Sequence, residues 1–251
     1  MALRGVIFDM GGTLLHYNAP NTHWEQTEKT GARAVYAALS ARGYNLPPED
    51  DALDTAWQFA MQLWNSLTDT PDVRTLKLDY LLRTLAQEQW GLADLQAADA
   101  ALLPEAYMAA IQGHVYPLES AAETLHALRE RGLRIGLISN TLWPGAAHER
   151  DLERWGLLHY LEHRIFSADV EAWKPFRPVF QMGLDALGLQ PDEAIYVGDS
   201  LYFDVWGAQR AGLRSVWIEH QRHWLPEGME VTPDAAIRAL PELLALVDGW
   251  R

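Results

Sequence analysis

The chain contains no cysteine. Disulfide bonds, thiolate metal sites and thiol nucleophiles are therefore excluded. It is also poor in basic residues: 20 Lys and Arg stand against 34 Asp and Glu, for a net charge of −14. Sequence-independent nucleic-acid binding rests on cationic contacts to phosphate, so no nucleic-acid partner is expected. The acidic excess reads instead as solubility. No apolar run is long enough to span a membrane. The opening Met1-Ala2-Leu3-Arg4 leads straight into a strand with no secretory hydrophobic region, so a soluble, cytoplasmic protein with no membrane partner is the expectation. Internal repeats and low-complexity linkers are missing as well.

What is present is a chain of 251 residues, 49% of them apolar, enough for one large or two modest domains with a substantial core. The 11 tryptophans are scattered, a pattern that reads first as packing and leaves the oligomeric state open.

Periodicity divides the chain. Residues 3–9 read as a strand, broken by Gly11 and Gly12, with a turn at Pro20. From about 21 to 113 only helical patterns follow one another. Thr22 is suited to cap a helix running to Arg42. Pro47-Pro48-Glu49-Asp50 opens a second, with Leu53, Trp57, Ala60, Met61 and Trp64 on its apolar face. Pro71-Asp72 opens a third, carrying Leu78, Leu81, Leu82 and Leu85. A fourth starts at Asp94, is interrupted at Pro104 and ends near Gly113. After Pro117, strands and helices alternate. Strands are expected at 133–139, 163–167, 194–197, 213–218 and 235–237. Helices are expected at 120–131, 146–155, from Pro175 to near Gly188, 205–211 and 241–247. The fold class is α/β: a Rossmann-like, doubly wound parallel sheet with an inserted all-α helical domain. The core comprises 1–16 and 117–251, and the helical insert 17–116.

Two carboxylates stand just past buried-looking apolar runs: Asp9 after Gly5-Val6-Ile7-Phe8, and Asp199 after Ala194-Ile195-Tyr196-Val197. Runs of this kind read as parallel strands covered on both faces. Acids at the carboxyl ends of two neighbouring strands converge on one crevice, and they repel each other unless a cation lies between them. The pattern suggests a metal site and, in Asp9, a nucleophile, since a carboxylate is ionised at pH 7 and needs no base to activate it. A plainer reading of Asp199 and Asp204 is a helix N-cap followed by a first-turn acid.

Four segments in order, Phe8-Asp9-Met10-Gly11-Gly12-Thr13-Leu14, Ile135-Gly136-Leu137-Ile138-Ser139-Asn140, Lys174-Pro175 and Val197-Gly198-Asp199-Ser200 with Asp204, resemble the haloacid dehalogenase (HAD) superfamily of hydrolases. The likeness covers nearly all of residues 3–219, with the helical insert where that family carries its first-type cap. It implies a catalytic set of Asp9, Ser139 and Lys174, in which Asp9 becomes a covalent aspartyl intermediate, the Ser139 hydroxyl holds a transferring phosphoryl oxygen, and Lys174 offsets negative charge. It further implies Mg²⁺ as cofactor, at Asp9, the carbonyl of Gly11, Asp199 and the supporting Asp204. Gly12, Asn140, His16 and Tyr17 are expected at the substrate.

One departure stands out. Phosphatases of the superfamily carry a second Asp two residues after the nucleophile, and here that residue is Gly11. His16, Tyr17 and His23, at the junction with the insert, are the candidate substitutes. The expected activity is Mg²⁺-dependent phosphatase action on a small phosphorylated metabolite. The alternatives are halide release from a haloacid, which needs neither metal nor leaving-group protonation, and a catalytically weak binding protein.

Overall fold

The computed structural model describes residues 2–18, 22–66, 77–170, 172–219 and 224–250, with the side chains of 64–66 excepted. The expected turn at Pro20, the opening of a helix at Pro71-Asp72 and the side chain of Trp64 lie outside the described residues. The chain forms two compact units, Met1–His16 with Tyr116–Thr141 and His148–Arg251, and Tyr17–Val115 with Leu142–Ala147. Leu142–Ala147 thus leaves the α/β alternation and groups with the helices. Leu142 and Trp143 account for it, because both pack in the helical unit's core. At the two ends of this excursion, within the first unit, Thr141 Oγ1 and His148 Nε2 lie 2.6 Å apart.

The first unit is built on strands β1 (Gly5–Phe8), β4 (Arg134–Ser139), β5 (His163–Phe166), β6 (Ala194–Gly198), β7 (Arg214–Ile218) and β8 (Ala235–Ile237). They form one parallel sheet in the order β5-β4-β1-β6-β7-β8. Every residue of β1 and β6 is buried, as continuous apolar runs require when helices cover both faces of a sheet. Helices α6 (Ala121–Glu130), α7 (Gly145–Arg154, in this unit from His148 onward), α8 (Arg177–Leu187), α9 (Gly207–Ala211) and α10 (Glu242–Trp250) make the crossovers and the last described helix. One apolar cluster packs Phe180, Leu184 and Leu187 of α8 against Ile7, Ile138 and Tyr196 of the sheet. From β1 the chain runs outward through β4 and β5, then returns to the other side of β1 at β6. The winding therefore reverses between β1 and β6, where open α/β sheets form their crevice. A small antiparallel pair, β2 (Leu15–His16) with β3 (Tyr116–Pro117), was not evident from periodicity because two residues per strand carry no period.

The second unit is helical among its described residues: α1 (Trp24–Ser40), α2 (Glu49–Ser66), α3 (Leu78–Thr84) continued by a π-turn over Leu85–Gln89, α4 (Ala97–Ala100) and α5 (Leu103–Gln112). Leu78, Leu81, Leu82 and Leu85 are buried together with Val35, Leu39, Leu53 and Trp90, so the i, i+3, i+4 pattern marks the inward face.

Several element ends differ from expectation. The N-cap of α1 is His23, whose Nδ1 accepts from the Glu25 N–H at 3.2 Å, and not Thr22. α8 starts at Arg177 with Pro178 in its first turn, so Pro175 lies ahead of the helix. At both ends two neighbouring residues suit the same capping or first-turn role, and sequence alone does not choose between them. The expected interruption near Pro104 falls just ahead of it, between α4 and α5, which starts at Leu103 with Pro104 in its first turn. None of the described helices is long and apolar enough to cross a membrane.

Candidate active site

β1 and β6 pair in register, Phe8 opposite Val197, and the Asp9 N–H extends the ladder by donating to the Val197 carbonyl at 2.8 Å. Asp9 and Asp199 therefore leave the sheet side by side at the point where its winding reverses. With Asp204 they present carboxylate oxygens that all lie within 4.8 Å of one another. Two glycines make the approach possible. Gly12 has φ +78°, and a Cβ there would overlap the Asp199 carboxylate; a Cβ on Gly198 would overlap the Asp204 side chain. Both positions need a residue without a side chain.

Lys174 is the cation of this cluster. Its Nζ donates to Asp9 Oδ1 at 2.6 Å, to Asp204 Oδ1 at 2.6 Å and to the Tyr196 hydroxyl at 3.0 Å. Its side chain is 2% exposed, which admits a charge only because it is paired. Burial disfavours the ammonium, but the Asp204 and Asp9 carboxylates outweigh it and hold the Lys174 pKa well above the usual lysine value. The backbone of Lys174 is fixed by Asn140, whose Nδ2 donates to the Lys174 carbonyl at 2.9 Å and whose Oδ1 accepts from the Lys174 N–H at 2.8 Å. Tyr196 in turn donates to the Ile138 carbonyl at 3.0 Å. Asp204 Oδ2 accepts from the Ser200 N–H at 2.9 Å, so each Asp204 oxygen accepts one hydrogen bond.

One lysine does not balance three acids. Burial, then the proximity of Asp204, pushes Asp9 up to about 6 against the pull of Lys174. Burial, then Asp9 and Asp204, holds the Asp199 carboxyl well above the ordinary carboxylate range. The site is short of positive charge, and its donors are hard oxygens of the kind Mg²⁺ selects. Among the described residues, no group donates to the Gly11 carbonyl. The buried Thr13 hydroxyl in the same loop has no hydrogen-bond partner.

The remaining expected residues are distributed as follows. Ser139 is buried at the end of β4, the strand adjoining β1. His16 pairs across β2–β3 with Tyr116, ring centroids 4.8 Å apart. Tyr17 belongs to the helical unit, where its ring meets Trp143 edge-on at 5.7 Å. His23 is occupied as the α1 cap. Asp199 caps no helix: the N-cap is Ser200, whose hydroxyl accepts from the Phe203 N–H at 3.0 Å, and it opens a π-helical stretch, Leu201–Trp206, ahead of α9.

A family model described as haloacid dehalogenase-like hydrolase matches residues 3–212. The chain belongs to the haloacid dehalogenase-like hydrolases. A phosphoserine phosphatase of Thermus thermophilus is 39% identical over 129 residues, 51% of this chain and 50% of that protein. A glyceraldehyde 3-phosphate phosphatase of Pyrococcus furiosus is 31% identical, and the match covers 68% of each chain. The match thus spans about half the length of the Thermus relative. Among solved structures, a HAD phosphatase from Thermococcus onnurineus superposes with a TM-score of 0.65 at 25% identity, covering 99% of this chain and 100% of that one. The parallel sheet and its helical insertion are those of HAD hydrolases.

Tyr196 was not singled out from the sequence. It stands inside the apolar run of β6 and reads there as core. The available signal was its hydroxyl, because a phenol buried mid-strand needs a hydrogen-bond partner.

Proposed function

We propose that this HAD-like hydrolase is a Mg²⁺-dependent phosphatase acting on small phosphorylated metabolites through an aspartyl-phosphate intermediate on Asp9. The observation that carries the reading is the buried Asp9–Lys174–Asp204 chain with Asp199 beside it. The phosphatase names of the Thermus and Pyrococcus relatives support it.

An Asp9 carboxylate oxygen attacks phosphorus. The Oδ–P bond forms as the bond from phosphorus to the ester oxygen breaks, and that oxygen leaves to take a proton. Lys174 keeps Asp9 oriented and offsets charge on the phosphoryl oxygens, one of which the Ser139 hydroxyl holds. Water then attacks phosphorus, releasing inorganic phosphate and restoring Asp9. Asp9, Asp199 and the Gly11 carbonyl are the groups that would hold Mg²⁺, while Asp204 anchors Lys174 and supports the site. When bound, the ion neutralises phosphoryl oxygen charge. Release of inorganic phosphate from a panel of acyl phosphates and of sugar and nucleotide monophosphates tests the reading, and no Mg²⁺-dependent turnover of any of them would refute it.

Position 11 sets which leaving groups are served. With glycine there, no carboxyl follows the nucleophile by two residues to protonate the departing oxygen. Substrates with good leaving groups, such as acyl phosphates, which are mixed anhydrides that release a carboxylate, are then favoured over alkyl phosphates. A Cβ at Gly11 would meet nothing within 4 Å, so a side chain fits. Gly11→Asp is expected to raise kcat on alkyl phosphates by about 10²-fold, the lower end of what a positioned acid–base contributes, and to change acyl phosphate turnover far less. A variant that folds and binds Mg²⁺ yet gains nothing would remove the leaving-group argument.

Metal affinity should follow pH. Asp9, with a pKa pushed up to about 6, and Asp199, also raised, shed protons when a cation binds. The Mg²⁺ dissociation constant measured by calorimetry is expected to rise about tenfold between pH 7.5 and pH 5 from Asp9 alone. A flat profile would place the ion elsewhere.

A further inference from the structure

The third acceptor of the Lys174 ammonium is a phenol, and no step of the reaction makes direct use of it. An ammonium has three N–H donors. Two of them reach carboxylates, Asp9 Oδ1 and Asp204 Oδ1, each at 2.6 Å. The third acceptor within reach is the Tyr196 hydroxyl, at 3.0 Å. Three donors thus face three acceptors, and only the phenol is uncharged.

The hydroxyl is itself oriented. It donates to the Ile138 carbonyl at 3.0 Å, so a lone pair and not the proton faces Lys174. Burial holds the phenol pKa well above the usual tyrosine value, and the hydroxyl keeps its proton at neutral pH. Phe180 meets the Tyr196 ring edge-on at 5.1 Å. Tyr196 belongs to β6 and Ile138 to β4, with β1 between them. The side chain therefore crosses the strand that leads to Asp9 and joins the two strands beside it.

The carbonyl it holds is that of the peptide bond entering Ser139. Asn140, one residue further, bonds both backbone groups of Lys174, at 2.9 and 2.8 Å. One short segment, Ile138 to Asn140, thus holds Lys174 twice: its main chain through Asn140, and its ammonium through Tyr196. A phenylalanine would suit the buried, apolar run of β6 equally well, so packing alone does not call for a hydroxyl there.

We infer that Tyr196 is a positioning residue, whose hydroxyl fixes the Lys174 ammonium against Asp9 and couples its place to that of Ser139. Its effect on turnover is exercised through those residues and rests on the phosphatase reading. The placement of the ammonium does not.

The test is Tyr196→Phe in the full chain, which removes the hydroxyl and keeps the ring. The protein has three lysines, at 29, 77 and 174, and Lys174 alone among them is buried. A slowly exchanging side-chain ammonium in a proton–nitrogen correlation spectrum therefore belongs to it. In the metal-free, unaltered protein this signal is expected, with an Overhauser contact to the Tyr196 ring. In Tyr196→Phe it should shift and exchange with water faster. With substrate, kcat should fall about tenfold, less than the ~10²-fold that a displacement of ~1 Å can cost, while KM stays within a factor of about two. These rates are measured well below the Tm of the variant, because a merely structural hydroxyl would lower Tm and leave kcat and the ammonium signal alone. An unchanged ammonium signal, or in an active enzyme an unchanged kcat, overturns the inference. So does a missing Overhauser contact in the unaltered protein, which decides the matter even if the variant misfolds. If the unaltered protein hydrolyses no phosphate compound, the phosphatase reading falls, and the ammonium signal alone decides the positioning.

Discussion

Asp9→Asn should abolish phosphate release while leaving the fold intact. An amide has no anionic oxygen to attack phosphorus, and loss of an enzyme's nucleophile lowers kcat on the order of 10⁴–10⁶-fold. The stability outcome separates this from a variant that simply unfolds. The Asp9 pKa is raised, from 3.8 to about 6, so its ionised form is disfavoured in the folded state. In the metal-free protein, Asp9 therefore contributes no penalty below pH 3.8. It costs stability progressively as pH rises through 6, and the full cost persists at pH 7.5. Asparagine carries no such cost. Metal-free Asp9→Asn is accordingly expected to melt at or above the temperature of the unaltered protein at pH 7.5, and Mg²⁺ should raise its Tm much less. Calorimetry with and without Mg²⁺, beside a phosphate-release assay, checks all three outcomes together. Equal turnover in the variant would remove Asp9 from the chemistry.

Lys174→Met should damage both stability and activity. The lysine side chain is 2% exposed and bridges two carboxylates. Removing one partner of a buried pair leaves uncompensated charge and costs about 3–5 kcal/mol, or on the order of 10 °C in Tm for a chain of this length. Methionine matches the hydrocarbon part of the side chain, so the loss reports charge more than cavity. Mg²⁺ should restore part of the Tm, because it supplies positive charge to the same acids, whereas activity should remain depressed by about 10³-fold for want of the cation that orients Asp9. Combining Lys174→Met with Asp204→Asn should cost less than the sum of the two single changes, since each alone strands a charge that the pair does not. Strict additivity in that cycle would mean that the 2.6 Å contact contributes nothing.

The parts of the fold that were legible from the residues were those with a strong period. The four- and five-residue apolar runs of β1 and β6 located the acids at their ends, and the leucines of α3 located the inward face of the helical unit. Relations across the chain were hidden. No local pattern tells that Asn140 clamps the backbone of Lys174, 34 residues away, or that Tyr196 turns a hydroxyl toward the same ammonium. The π-helical stretch over Leu201–Trp206 was equally invisible, because its bonding differs from an α-helix by one residue while its composition does not. The excursion at Leu142–Ala147 was read as part of the alternating core, for Trp143 reveals where it packs only when the helical unit is folded around it. The family motifs suggested both partners of Asp9, namely Lys174 and Asp199. They did not indicate that Asp204 accepts from both Lys174 and the Ser200 N–H.

The central claim is that two acids 190 residues apart in the chain share one divalent ion. Crystals grown with Mn²⁺ in place of Mg²⁺, measured at the manganese absorption edge, test it directly. The account predicts one strong anomalous peak bonded to carboxylate oxygens of both Asp9 and Asp199, at roughly 2.1–2.2 Å as for other hard octahedral cations. A peak bound to only one of them, or found at another cluster, would contradict it.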